Sequence, residues 1–191
     1  MAGTARPPVV TYLGFVAWVV YAIISARGDW TVAACAGLLI MLAIVAAEHG
    51  RNSVRIIDCT SLGFFALALA TLFTAGEQVF RHYQVVLAWG IFALVTWVTM
   101  VIGFPFTIQY TRERQPRESL AGPLFRRLNV RLTMLWAIIF TFDTGLAILT
   151  LGGSHSLILV VIIPGASMLF GYVFSIIYPA RHGSQFRSRA A

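Results

Sequence analysis

A chain of 191 residues that is 59% hydrophobic and only 11% charged lies well outside the balance of soluble domains, which run about half apolar and about a quarter charged. That composition excludes an ordinary soluble enzyme or binding module and points to an all-α, polytopic membrane bundle with no separate soluble domain. The net charge of +7 invites a nucleic-acid reading, but the arginines flank apolar runs instead of forming one face of a folded domain, so no nucleic-acid partner is expected.

In chain order, a short polar leader with Arg6 precedes a run without charge from about 9 to 26. It is longer than the core of a signal peptide and is followed by Arg27-Gly28-Asp29 instead of a small-residue cleavage site, so it reads as the first span. The second, about 30 to 47, returns at once and forms a helical hairpin with it; its 18 residues reach about 27 Å, close to the thickness of a hydrocarbon core. The segment 48 to 55 carries Arg51 and Arg55 and leads into a third span, about 56 to 75, which begins with Asp58 inside the apolar run. Arg55, three residues earlier, is placed to pair with it along a helix. A short connection and a fourth span, about 85 to 103, follow.

The segment 104 to 131 is the only sizeable polar stretch and holds six of the fourteen arginines. Pro105 can open a short interfacial helix in which Phe106 and Tyr110 share a face, with Arg112, Arg114 and Arg117 beyond them. After a turn at Gln115-Pro116, Pro123 can open a second helix. In it Leu124 and Leu128 face the membrane, while Arg126, Arg127 and Arg131 sit at headgroup level. This stretch is expected to continue into a fifth span, about 132 to 151, and a sixth, about 157 to 178, whose Pro164 should kink it. A basic tail closes the sequence.

With six spans, twelve arginines fall on the side of both termini and only Arg27 and Arg81 on the other. The positive-inside rule then puts both termini in the cytoplasm, in a bacterial inner membrane.

Asp143 lies eleven residues into the fifth span, roughly 17 Å deep and near the midplane, where an ionised carboxylate is costly. It either ties helices together as a protonated acid, with Thr141, Thr144, Thr60 or Ser61 as partners, or serves transport together with the break at Pro164. Asp58 is the second intramembrane candidate. Cys35 and Cys59 read as small buried hydrophobes. His49, His82, His155 and His182 all fall at span edges, so no haem, metal or other cofactor is expected. Glu48-His49 lacks the second histidine of a zinc helix, since Asn52 stands there, and no complete catalytic motif occurs.

The order of an apolar span, the Pro-containing segment FPFTIQY, a short charged loop, and Pro123-Leu-Phe-Arg-Arg-Leu-Asn129 feeding a span with Trp136 resembles the bacterial intracellular septation protein A family. The likeness runs from about Val85 to Leu149, a third of the chain. It implies a small multi-span inner-membrane protein with envelope or division proteins as partners and no catalytic residues. The leading expectation is an interaction or envelope-maintenance protein whose basic loop contacts anionic lipid headgroups or a protein partner. The alternative is a small proton- or ion-coupled transporter using Asp143.

Overall fold

The computed structural model describes residues 13–50, 54–112, 122–153 and 158–187, and among them every regular element is helical. Seven α-helices follow in order: α1 Leu13–Ser25, α2 Trp30–His49, α3 Ile56–Thr74, α4 Glu77–Val101, α5 Thr107–Arg112, α6 Pro123–Thr150 and α7 Ile163–Arg187. A π-helical turn, Ile158–Ile162, leads into the last of them. Four helices are long and apolar enough to cross a membrane: α2, α3, α4 and the part of α6 from Phe125. Shorter apolar helices cover Gly14–Ser25 and Ile163–Pro179.

Two compact units divide at the middle of α4, one ending at Ile91 and the other beginning at Phe92. In the first, α1 and α2 form the hairpin, closed by Gly28 at φ +93°, a left-handed conformation that glycine adopts without a side-chain clash. Gly76, at φ +88°, makes the equivalent turn between α3 and α4. The core joins Ala17, Tyr21, Ala33, Ala34, Met41, Phe64, Phe65 and Ala68. Phe65 lies directly against Gly37, whose missing side chain lets α2 and α3 approach. Trp18 stacks on Phe64 at 4.8 Å and donates its indole N–H to Ser61 Oγ at 3.1 Å, while Tyr21 O–H donates to Gln84 Oε1 at 2.6 Å. These bonds let two amphipathic aromatics pack inside the unit without stranding a donor.

The second unit is built on α6, a 28-residue helix that opens with Pro123 in its first position, where the missing N–H costs nothing. It takes in both the second half of the basic loop and the fifth apolar run. Its contacts with α7 include Gly171, which nests against Ile139 and Trp136, and Trp136 N–H donating to Ser175 Oγ at 3.0 Å. Phe92 of α4 stacks on Phe140 at 5.3 Å, and Trp97 N–H reaches Thr141 Oγ1 at 3.0 Å.

Several boundaries differ from the sequence expectation. α4 begins at Glu77, so most of the expected connection before Val85 is helix. A polar first turn with Glu77 near the N-terminus suits the helix dipole even though it carries no apolar signal. Pro164 sits in the first turn of α7 instead of mid-helix. A proline ring presses on the carbonyl four residues earlier, and the wider π turn ahead of it accommodates that pressure. α7 then continues through Pro179 to Arg187, carrying much of the basic tail in helix. Large apolar side chains stay uncovered, among them Val101 at 85%, Phe73 at 76% and Leu149 at 69%. Uncovered apolar surface on this scale is compatible with insertion into lipid.

Candidate functional site

The first turns of α6 carry two stripes at helical spacing. Phe125, Leu128, Asn129, Leu132 and Thr133 are buried, and they recur at the three- and four-residue steps of one helical face. Pro123, Arg126, Arg127, Val130 and Arg131 line a groove of about 460 Å³ at the same steps. At 3.6 residues per turn the two stripes fall on nearly opposite sides of the helix. Burying the first therefore turns the second outward, and Arg126 and Arg127 are exposed.

The buried stripe is held by α5. Thr107 Oγ1 donates to the Asn129 carbonyl at 2.9 Å and lies 2.9 Å from Thr133 Oγ1. Thr111 Oγ1 donates to Asn129 Oδ1 at 2.7 Å, and Asn129 Nδ2 donates to the Phe125 carbonyl at 2.9 Å. A six-residue helix is marginal alone, so this network and the burial of Pro105 and Phe106 are what dock it. Here the structure departs from the expected interfacial placement. Phe106 and Leu128 are buried in protein, at 5% and 8% exposure, and do not face lipid. Tyr110 is half-buried and meets Phe106 edge-on at 6.2 Å.

Of the expected lipid-contact arginines, Arg126, Arg127 and Arg131 share the outward stripe. Arg131 Nη1 donates to Tyr178 Oη at 2.6 Å, tying α6 to α7. Arg114, Arg117 and the turn at Gln115-Pro116 lie outside the described residues, as do the side chains of Arg112 and Leu124. Among the described residues, the only ion pair joins Arg55 to Glu48, so no described carboxylate neutralises the α6 stripe.

That ion pair also changes the picture at Asp58. Arg55 Nη1 stands 3.8 Å from Glu48 Oε1, and the Arg55 backbone N–H donates to Glu48 Oε2 at 3.2 Å. Glu48, Arg55 and Asp58 are all buried at this corner of α2 and α3, at 5%, 4% and 6% exposure. Arg55 thus pairs with Glu48 and not with Asp58 as expected, although all three side chains share this buried corner. The Asp58 carboxylate lies on Gly14 of α1, where a side chain would collide with it. Glu48 closes an apolar helix and reaches Arg55 across the turn, a partnership that helical spacing within one segment does not reveal.

Asp143 is fully buried, and its partner is a residue the sequence reading did not name. Ser167 Oγ is 3.0 Å from Asp143 Oδ1, 2.9 Å from Oδ2 and 2.8 Å from the carbonyl of Pro164. The hydroxyls of Thr141, Thr144, Thr60 and Ser61 instead bond back to carbonyls of their own helices. Ser167 thereby links Asp143 to Pro164, the two residues that the transport alternative names together. Among the described residues no group of three His, Cys, Asp or Glu side chains could hold a metal ion.

No protein-family model, no curated protein and no solved structure matches this chain. Its function has to be argued from these sites.

Proposed function

We propose that the chain is a six-span protein of the bacterial inner membrane with both termini in the cytoplasm, whose outward α6 stripe engages the phosphates of anionic lipid headgroups. Its role is of the interaction or envelope-maintenance type, with envelope or division proteins as partners, as the resemblance to the septation family implies. Support for the orientation comes from the twelve-to-two distribution of arginines. The four long apolar helices are compatible with it, and the shorter apolar helices α1 and α7 supply the remaining two spans.

The observation that carries the lipid reading is the stripe itself. Three guanidinium groups line one groove, with apolar Pro123 and Val130 between them and no described carboxylate partner. Guanidinium presents a planar fork to phosphate oxygens, and its position at the head of a membrane helix is where headgroups lie. Each such arginine contributes about 1 kcal/mol near an anionic surface. The double substitution Arg126→Gln/Arg127→Gln should therefore lower retention of phosphatidylglycerol by about 2 kcal/mol, roughly 30-fold. Equal retention of phosphatidylglycerol by wild type and variant in mild detergent would defeat the reading.

A second reading, a small proton- or ion-coupled carrier, is favoured by one feature: a fully buried Asp143 beside the irregular start of α7. Under it, Asp143→Asn should abolish flux driven by a pH gradient in proteoliposomes. Flux that survives the substitution, or no flux from wild type, would remove it.

A further inference from the structure

Ser167 has one hydroxyl hydrogen, and three acceptors stand within 3.0 Å of its oxygen: both Asp143 carboxyl oxygens and the Pro164 carbonyl. Among the described residues no other side chain donates a hydrogen bond to Asp143, which is fully buried. Were the carboxyl ionised, its charge would rest on a single hydrogen that the Pro164 carbonyl also competes for. A buried carboxylate needs paired charge or several donors. The helices around it supply no such charge. The described part of α4 in this unit, Phe92 to Val101, carries none, and neither does the π turn, nor α7 from Ile163 to Tyr178. On α6 the nearest charged side chain is Arg131, twelve residues and so about 18 Å away along the helix.

A positive ligand would close the shortfall, and the distances select which. Ser167 Oγ stands in direct hydrogen-bond contact with both carboxyl oxygens, so the hydroxyl occupies the place where a metal ion would have to bridge these groups. A proton needs no such space. We propose that Asp143 is an intramembrane proton-binding site: the carboxyl O–H donates to Ser167 Oγ, and the Ser167 O–H donates to the Pro164 carbonyl. Each hydrogen is used once, and the carboxyl oxygen left without a donor is an uncharged C=O, which costs far less to bury than a carboxylate. The relay joins the middle of α6 to the first turn of α7 beside the π turn, and it stands whether or not the protein carries any solute.

Infrared difference spectroscopy of the full chain in lipid vesicles at neutral pH tests it. Wild type minus Asp143→Asn should isolate the C=O band of one protonated carboxyl, and Ser167→Ala should move that band to higher frequency as the carboxyl loses its hydrogen-bond partner. Absence of the band from the difference, its persistence in Asp143→Asn, or a band unmoved in Ser167→Ala would overturn the assignment. Should Asp143→Asn fail to fold, carboxyl-13C-aspartate labelling of wild type and Ser167→Ala decides the matter. A labelled protonated-carboxyl band that shifts in Ser167→Ala supports the site, and one that does not shift refutes it.

Discussion

Asn129→Leu is the substitution that most directly tests how α5 is held. It preserves the approximate size of a fully buried side chain while deleting the bond accepted from Thr111 at 2.7 Å and the bond donated to Phe125 at 2.9 Å. A buried hydrogen bond contributes about 0.5–1.5 kcal/mol, and bonds between membrane helices average about 0.6. Only the Thr111 bond crosses from α5, since the Phe125 carbonyl belongs to α6 itself, so undocking loses one such bond. The lower half of that range applies, because Thr111 keeps the Thr107 carbonyl as an acceptor at 3.0 Å and no group is left without a partner. Undocking of α5 should therefore rise by roughly 2- to 5-fold. Amide hydrogen exchange over 107–112 reads this directly, since a helix this short has little stability of its own. Pairing it with Thr111→Val should show coupling of about 1 kcal/mol. If exchange in α5 changes by less than about twofold, the network is incidental and the burial of Pro105 and Phe106 alone holds the helix.

Other expectations concern the packing glycines and the buried ion pair. Gly37→Ala would press a methyl into the Phe65 ring, with Cδ1 and Cζ at 2.6 and 2.7 Å, whereas Gly63→Ala would meet only Ile91 Cδ1 at 3.9 Å. The first should lower thermal stability in detergent by about 1–3 kcal/mol and the second should be neutral or better; equal effects would contradict the packing of α2 on α3. Gly171→Val should loosen α6 from α7, read as a red shift of Trp136 fluorescence, because Ile139 Cδ1 lies only 2.7 Å from the position of its Cβ; an unshifted spectrum would argue against that contact. Arg55→Met strands buried Glu48 and should cost about 3–5 kcal/mol, with Glu48→Gln/Arg55→Met recovering part of it. A silent Arg55→Met in thermal unfolding would show that the corner is hydrated.

Runs of apolar residues made the long helices legible in the sequence, and Pro123 marked the start of α6 because proline suits a first helical turn. The partners of the polar residues were far less legible. Helical spacing pairs Arg55 with Asp58, three residues on, and the ion pair spans the turn to Glu48 instead. Depth in the membrane offers Asp143 the hydroxyls of Thr141 and Thr144, yet these are occupied by their own helix carbonyls and Ser167 comes from the next helix. Periodicity reports which residues share a face and not which face of another helix meets it. A usable signal did exist in the basic loop. Thr107 and Thr111 are four apart, as are Asn129 and Thr133, and two uncharged polar pairs at that spacing on successive helical segments suit mutual hydrogen bonding.

The two faces of α6 allow position and charge to be separated. The docking face with Asn129 and the groove face with Arg126 and Arg127 lie on opposite sides of one helix, so a change on one need not disturb the other. If the stripe engages headgroups through its own charge, Asn129→Leu should release α5 and leave the preference for phosphatidylglycerol within about twofold of wild type, since the arginines stay on the same helical face. Arg126→Gln/Arg127→Gln should do the reverse, losing the lipid preference while α5 exchange stays unchanged. Loss of lipid preference in both variants would mean that α5 itself forms part of the headgroup site. The outward arginines of α6 would then be only half of the surface that matters.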